Sequence, residues 1–507
     1  MCARTDATDL QVRMTTLIDI SGTTQSLPSQ PLTLRKLGFR LRYNRAYYFG
    51  FLLALLFCWS PSNALAYLSP ALVTIYYLLV TRSGIVFRNL ILVGSLWLLW
   101  IMIHAPFVGN FAWGSALLSM LTFSAFIPVV AIPTCFLSSQ WLMPRFERWI
   151  RLTVLIQASL GIVQAFYGFF QNGSFDVGNG DYVEGTIHPW LAPEGSFSNP
   201  MFATNMTFLI LFLIPGLLTQ RKYLFVILLG LFSLVLASVM HVLLFLGAAI
   251  GFVLLLYAPA ILGRRSGWLF VGLTVVAMVV ALNLLSSNFT QVQRVANLTT
   301  GNTPRGEMLS ALTSYVLPKY PYMPLFGFGP GQFSSRASLI GTGYYYGTVD
   351  APRTFPLVPQ QSSEPFESYA LPVWSKMFGM GGYWGSTYQP FFSWLTLFTE
   401  FGIFILLLLF LFIGYLLLHI RQRARNYRAQ STAIALSIGI LFTFFLGFQE
   451  NYWEVPQAIF PGLLILKVMY AHFQEMTARH YDLTQPGSAT NSQGHYTDQI
   501  AGGNVPL

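Results

Sequence analysis

Apolar runs of about 20 residues recur along most of this 507-residue chain, and they constrain the fold more than any other feature. As a helix, a run of about 20 residues crosses the hydrocarbon core of a bilayer, which is about 30 Å thick. Only 9% of the residues are charged, whereas soluble domains average about 25%. The sequence therefore predicts an all-α polytopic membrane protein, because helices satisfy their own backbone hydrogen bonds in lipid.

We assign about twelve transmembrane helices, nine within 46–287 and three within 390–473. They are 46–61, 64–80, 89–107, 112–133, 150–170, 200–219, 223–240, 242–262, 268–287, 390–418, 431–449 and 456–473. The first and second helices flank a tight turn at Ser62, and the seventh and eighth flank one at His241. The polar and basic segment 1–45 and the Gly/Asn/Ser-rich segment 474–507 are expected in the cytoplasm, with the latter disordered.

Lysine and arginine are distributed unequally between the two ends of these helices. Of 28 Lys and Arg residues, 21 lie at one end of the helices, which the positive-inside rule assigns to the cytoplasm, and Lys467 lies within the last predicted helix. The other six all lie in one predicted external loop, 288–389: Arg294, Arg305, Lys319, Arg336, Arg353 and Lys376. Because the basic residues are dispersed between apolar helices, the net charge of +10 does not indicate a nucleic-acid-binding protein.

Two external loops are long enough to carry a function. The loop 171–199 is acidic, and the loop 288–389 is rich in aromatic residues, as in "GTGYYYG" and "MGGYWGSTY". A connection of that length is unusual without a role or a fold of its own. It is expected either to form a partly helical cap that stabilises the helices, or to bind an anionic, sugar-bearing substrate through its cations and aromatic rings.

The stretch "PLFGFGPGQF", residues 324–333, superficially resembles a nucleotide-binding loop. The Lys-Ser/Thr pair of a P-loop is missing, and ATP is not present outside the membrane. Its glycines are expected either to bring backbone amides close to a phosphate or to end a helix over 306–318 and return the chain to the membrane. Three cysteines make no metal quartet, so we predict no metal and no cofactor.

Three segments together resemble the bacterial O-antigen ligase and O-antigen (polysaccharide) polymerase superfamily. In "PRGEMLSALTSYVLPKYPYMPLFGFGPGQF", Arg305 matches the arginine of the family, and Gly327, Gly329 and Phe333 match its glycine turn. "EGSFSNPMFATNM" is similar to a second family segment at Asn199 and Pro200, and "FFSWLTLFTEFGIFILLLL" to a third at Glu400 and Gly402. The resemblance covers about half of the chain.

The chain also departs from the family pattern. The third segment of the family begins with His and Asn, and those positions are Phe391 and Phe392 here. The Ser-Arg pair common between the seventh and eighth helices is represented only by Ser238 and His241. A divergent polymerase therefore fits better than a ligase that uses the family histidine.

The resemblance implies a metal-independent membrane glycosyltransferase with a GT-C-like helical bundle in the bacterial cytoplasmic membrane. Its donor is a polyprenyl-diphosphate-linked oligosaccharide, and its expected partners are membrane lipid, a flippase and a chain-length regulator. Arg305 is expected to stabilise the diphosphate leaving group, with Glu400 or Glu307 as the base. The predicted substrate-binding residues are Arg294, Arg336, Arg353, Lys376, Gly327, Gly329, Asn199, His188, His241 and Gln389.

Two other functions stay open at this point. An O-antigen ligase, which transfers the finished glycan to a lipid or protein acceptor, shares the same motifs. A transporter or flippase for a polysaccharide precursor also suits twelve helices. Coupled transporters place ionisable groups or broken helices near the middle of the membrane. The predicted helices contain almost none of these features, which favours catalysis at the external loop.

Overall fold

The computed structural model describes residues 31–173, 182–189, 198–217, 220–261, 303–345, 351–353, 358–379, 389–424 and 427–484. The predicted helix 268–287 and Arg294 lie outside this part of the chain. Every other predicted transmembrane helix overlaps a helix of the structure, and no residue of the described ranges belongs to a strand. The protein is an all-α, multi-pass membrane protein.

The helices before residue 262 form most of the membrane bundle. They are α1 (Pro31–Cys58), α2 (Asn63–Thr81), α3 (Gly84–His104), α4 (Trp113–Thr122), α5 (Ile127–Ala131), α6 (Ser139–Asn172), α7 (Ser198–Leu217), α8 (Lys222–Ala237) and α9 (Met240–Ile261). Ser62 begins α2, since its side chain accepts a hydrogen bond from the Leu65 amide, as an N-cap does. The turn predicted at His241 instead lies at Ser238 and Val239, and His241 is in the first turn of α9.

The later helices include the short ones of the predicted external loop. They are α10 (Pro304–Ala311), α11 (Met323–Phe326), α12 (Arg336–Thr342), α13 (Leu371–Gly379), α14 (Ser393–Thr396), α15 (Gly402–Arg423), α16 (Tyr427–Leu446) and α17 (Pro456–Thr484). The helix predicted over 306–318 exists, and a π-helical turn, Leu312–Val316, extends α10 to Lys319. Two more π-helical turns follow: Phe366–Ala370 precedes α13, and Leu397–Phe401 joins α14 to α15.

Seven helices of the described ranges are long and apolar enough to cross a membrane, or eight if one bent pair is a single crossing. The predicted total of twelve remains a prediction. Two of the seven, α3 and α15, bury only 11% of their most apolar window against the rest of the protein. Their side chains are almost entirely apolar, so these two helices present a surface that lipid covers.

The bent pair, formed by α4 and α5, is a broken helix of the kind found in transporters, and it was not predicted from the sequence. Trp113–Thr122 and Ser124–Ala131 meet at 41°. The ammonium of Lys467, which is buried, donates hydrogen bonds to the carbonyls of Val129 and Ile132 at the end of this broken helix. The statement that ionisable groups and broken helices are nearly absent from the bundle is therefore wrong at this place.

The predicted external loop folds around a hydrophobic core of its own. Phe328, Phe333, Phe366 and Met308 are fully buried in that core, which is separate from the main core of the helix bundle. The α10 segment is set by Thr303, whose hydroxyl accepts from the Gly306 amide while proline occupies the first helical position. The described part of the loop is thus a packed, partly helical cap on the bundle.

Candidate functional site

The glycine turn, which we define as residues 327–335, lies directly against the junction of α14 and α15. A Cβ atom on Gly327 would meet the Glu400 carbonyl carbon at 2.3 Å, and one on Gly402 would meet the Leu325 oxygen at 2.2 Å. Both glycines have positive φ angles, 80° and 77°, which only glycine adopts without strain. Gly329 packs on the His104 side chain in the same way, at 2.7 Å for an added Cβ. The glycines therefore allow contact between backbone segments of the protein itself.

The carboxylate of Glu400 is the acceptor for the amides of this turn. Its Oε2 accepts from the Gly331 amide at 2.6 Å. Its Oε1 accepts from the amides of Phe333, Ser334 and Ser335 at 3.0, 3.1 and 3.0 Å. Successive amides that converge in this way form an anion-binding nest. Here the anion is a side chain of the same chain, and this favours a structural role for Glu400 over the predicted role as a base.

Arg305 is not in contact with the Glu400 carboxylate. Its side chain packs against the connection between α16 and α17, residues 447–455. Its Nη1 donates to the Phe448 carbonyl at 3.1 Å, and its Nη2 donates to the carbonyls of Gln389, at 3.3 Å, and Gln449. The side chain is buried, and its Nε has no hydrogen-bond partner among the described residues. Burial lowers the pKa of Arg305 to about 10, and Glu450 opposes that shift, so the guanidinium stays charged at neutral pH.

Arg336 and Glu450 form a buried ion pair next to Arg305. The Arg336 Nη2 donates to Glu450 Oε1, and its Nη1 donates to the Tyr345 hydroxyl. Burial raises the pKa of Glu450, and the two guanidiniums of Arg336 and Arg305 act in the opposite direction. We call Arg305, Arg336 and Glu450 the buried charge cluster. With all three ionised it carries a net positive charge in a water-poor place, where electrostatic interactions are strong.

A second carboxylate of the same connection, that of Glu454, binds the backbone of Arg336 and so holds the buried charge cluster in place. Glu454 Oε2 accepts from the Arg336 backbone amide at 2.7 Å, and its Oε1 accepts from the Asn451 side-chain amide at 2.8 Å. The Asn451 amide also donates to the Ser334 carbonyl at 2.8 Å. Burial raises the pKa of Glu454 well above its usual value, and the nearby Glu400 raises it further. The 447–455 connection and the glycine turn are therefore one hydrogen-bonded unit.

His241 reaches this unit from α9. Its Nε2 lies 2.7 Å from the Tyr452 hydroxyl, and the Tyr452 amide donates to the Glu450 carbonyl at 2.7 Å. The hydrogen-bond partner of this histidine, Tyr452, is thus only two residues after Glu450 of the buried charge cluster in the chain. The structure places His241 near the cluster, with Tyr452 between them.

Two phenylalanines, Phe391 and Phe392, directly precede α14, and Phe392 contacts the buried charge cluster. The Arg305 guanidinium carbon is 5.0 Å from the centroid of the Phe392 ring, a cation–π distance. The Phe391 ring is buried and stacks on Trp374, with the centroids 5.8 Å apart. An aromatic ring therefore faces the Arg305 guanidinium here, and neither phenylalanine can act as a base.

Of the other predicted site residues, Gln389 is bonded to the cluster, and the remaining ones make their contacts elsewhere. Glu307 and Lys376 pair with each other at 2.9 Å near the surface of the cap, and Arg353 is exposed. The Asn199 side chain donates to the Ala237 carbonyl at 2.9 Å and so ties α7 to α8. Gln389 contributes only its main-chain carbonyl to Arg305.

His188 lies in the described segment 182–189, which packs against α6. Its Nδ1 lies 3.0 Å from the buried carboxylate of Glu184, and the Gln164 side chain donates to its carbonyl at 2.8 Å. Burial lowers the pKa of His188. These contacts anchor the described segment 182–189 on the bundle, and nothing brings this histidine to Arg305.

Sequence reasoning did not select Glu450 and Glu454, although a signal was present. "GFQENYWEV" between two apolar helices contains two carboxylates and an asparagine where a plain turn was assumed. Ionisable residues at such a place are costly to bury and often functional. Within the described part of the chain, no three side chains of His, Cys, Asp or Glu stand close enough together to form a metal site.

Comparisons with protein-family models and with curated proteins found no match for this chain. The resemblance to the O-antigen ligase and polymerase superfamily therefore depends on the three sequence segments alone.

Proposed function

We propose that the chain is a membrane glycosyltransferase that polymerises polyprenyl-diphosphate-linked oligosaccharide repeat units at the outer face of the bacterial cytoplasmic membrane. One observation supports this most: the buried Arg305 guanidinium is fixed by three main-chain carbonyls and keeps an unpaired Nε donor. A guanidinium stays ionised and matches the oxygens of a diphosphate. The family arginine thus has the burial and the free donor that a leaving-group site requires.

The proposed reaction is a displacement at the anomeric carbon of the donor. A hydroxyl of the acceptor forms the new glycosidic bond while the bond to the diphosphate oxygen breaks. The electron pair stays on the diphosphate, and Arg305 stabilises the added negative charge there. Since the acceptor hydroxyl loses a proton, a base must be near. We assign that role to Glu450 rather than Glu400, because Glu450 lies in the buried charge cluster with Arg305, whereas the Glu400 oxygens already accept four backbone amides.

Deletion of the gene in the source bacterium tests the function itself. The glycans of the deletion strain are separated by gel. Single repeat units that remain on the carrier lipid support the polymerase. Full-length polymer stranded on the carrier identifies a ligase instead, and unchanged glycans refute both enzymes.

Complementation of that strain tests the role of Arg305. Arg305→Ala is expected to restore no polymer, and Arg305→Lys only a small part, because lysine keeps the charge but loses the planar set of donors. Arg353→Ala is the matched control, since that arginine lies in the same loop but is exposed, and it is expected to restore the full ladder. Membrane abundance of each variant is measured by immunoblot. Wild-type polymer with Arg305→Ala removes Arg305 from the mechanism.

Transport is the second candidate, and the broken helix α4–α5 favours it. A helix interrupted at 41° with a buried ammonium on its terminal carbonyls is the kind of element that binds substrates in transporters. Lys467→Met separates the two candidates. If Lys467→Met abolishes uptake or flipping of a lipid-linked glycan while Arg305→Ala remains active, the protein is a transporter. If Lys467→Met still makes glycan polymer, this lysine has no role in the glycosyltransferase.

A further inference from the structure

A polar pocket of about 430 Å³ opens on the cap, apart from the buried charge cluster. It forms where the segment between α3 and α4 meets the end of α12 and the chain before α13. The Gln361 amide donates to the Gly341 carbonyl at 3.2 Å, and this joins two of its walls. The pocket is large enough for a small polar ligand, since such sites measure about 300–1,000 Å³.

The chemistry of the lining selects the kind of ligand. Two aromatic rings, Phe111 and Tyr344, stand beside three side-chain amides, those of Asn110, Gln360 and Gln361. Hydroxyls and the carboxylate of Glu367 complete the wall, and the lining residues include no lysine or arginine. Amides both donate and accept, and a carboxylate accepts, so together they suit a ligand with many hydroxyls. A phosphate would meet no cation here and one negative charge.

Helix α12 connects this pocket to the buried charge cluster. Arg336 is its first residue and contacts Glu450, while Thr342, its last residue, lines the pocket. Six residues of α-helix correspond to about 9 Å. Every residue of α12 is buried, so the helix links the two places through the protein and fixes the distance between the pocket and Arg336.

We propose that this pocket binds uncharged sugar residues and is a glycan subsite of the enzyme. The assignment rests on the proposed function for its biological meaning, but it concerns a binding event that can be measured without catalysis. Aromatic faces pack against the apolar faces of sugar rings, and the amides and Glu367 take the hydroxyls. The subsite would hold the sugar chain in register while the buried charge cluster acts on the diphosphate.

The test is saturation-transfer NMR on the full chain in lipid nanodiscs, with methyl glycosides of glucose and of N-acetylglucosamine as probes. We expect saturation transfer to at least one glycoside with the wild-type protein. Tyr344→Ala should weaken binding about tenfold or more, because it removes an aromatic wall. Gln360→Ala, a change at an exposed residue that leaves the packing of the cap intact, should weaken it about threefold. Tyr315→Ala is the control, since that tyrosine is 64% exposed and lies outside the pocket.

The outcomes separate the subsite from the proposed function. Absence of transfer to every glycoside, or equal transfer in Tyr344→Ala, Gln360→Ala and wild type, overturns the subsite. Displacement of the glycoside by inorganic pyrophosphate also overturns it, because the pocket would then be part of an anion site. Glycoside binding that persists in Arg305→Lys supports it. If the deletion strain keeps normal glycans while the glycoside still binds and Tyr344→Ala abolishes that binding, the proposed function fails and the sugar site stands.

Discussion

Replacing Glu400 by glutamine distinguishes a structural carboxylate from a catalytic base. The substitution keeps the shape and one acceptor oxygen, but it removes the charge and turns the other end into a donor. That donor would face the Gly331 amide, which now lies 2.6 Å from Oε2. If Glu400 were a base, Glu400→Gln would be stable and inactive. If it holds the glycine turn, the turn itself must loosen.

The size of the effect follows from the hydrogen bonds. A bond to a charged acceptor contributes about 1 kcal/mol more than a neutral one, and an unpaired buried donor costs about 1–3 kcal/mol. Three amides, those of Phe333, Ser334 and Ser335, keep a neutral acceptor, while the Gly331 amide loses its partner. The sum is about 4–6 kcal/mol. Relief from burying a charge offsets a few kcal/mol of it, so we expect a net loss of about 2–4 kcal/mol.

Hydrogen–deuterium exchange of the peptide 327–336 in nanodiscs measures this loss locally. Because about 1.4 kcal/mol corresponds to a factor of ten, and these amides exchange through local opening, their rates should rise about 30- to 700-fold. Peptides of α6 should exchange as in the wild type. Glu307→Gln is the matched control, since Glu307 pairs with Lys376 near the surface of the cap. Unchanged exchange in an inactive Glu400→Gln protein would refute the structural role and restore Glu400 as the base.

Four further outcomes are expected. Gly327→Ala should reduce the amount of folded protein severalfold in fluorescence-detected size exclusion, because a Cβ would stand 2.3 Å from the Glu400 backbone at a φ of 80°; Gly414→Ala, with nothing within 4 Å, should not. Burial lowers the pKa of Arg305 to about 10, and it should lower the pKa of a lysine at the same position further. The residual polymerisation of Arg305→Lys should therefore be lost at a lower pH than that of the wild type. Alkaline limbs that coincide in the two pH–rate profiles would contradict this. Glu450→Gln should lower the polymerisation rate at least a hundredfold with donor binding retained, and a rate within threefold of the wild type excludes it as the base. Lys376→Ala removes an exposed ion pair and should leave activity within about twofold, because such pairs contribute about 0–1 kcal/mol.

Much of the fold could be predicted from the sequence because lipid imposes a simple rule on it. The apolar runs coincide with helices in the described residues, and the helix before the glycine turn is present as predicted. The break between α4 and α5 was not predicted, although Pro128 in the first turn of α5 is the kind of residue that interrupts a continuous helix.

The candidate site was predictable only where a residue stands in a motif. Arg305 and Arg336 were selected by their place in the loop, and both lie in the buried charge cluster. Their carboxylate partner Glu450 is 114 residues from Arg336 in the chain, a separation that no local pattern encodes. Glu400 was selected as a candidate base because it is a carboxylate at the end of an apolar run. Its partners are backbone amides, which have no signature in the sequence, so its contacts needed the structure.

The hold of Glu400 on the glycine turn also fixes an order of events during synthesis. Gly331 and its acceptor are 69 residues apart, and ribosomes add about 5–20 residues each second. The turn therefore leaves the ribosome roughly 3 to 14 s before the carboxylate that satisfies its amides. The hydrogen bond of Arg305 to the Gln449 carbonyl forms later still, because Gln449 follows Arg305 by 144 residues in the chain. The cap thus completes its fold only after α15 and α16 have been made, and a fragment that ends before Glu400 should be a substrate for membrane quality control rather than a separable domain.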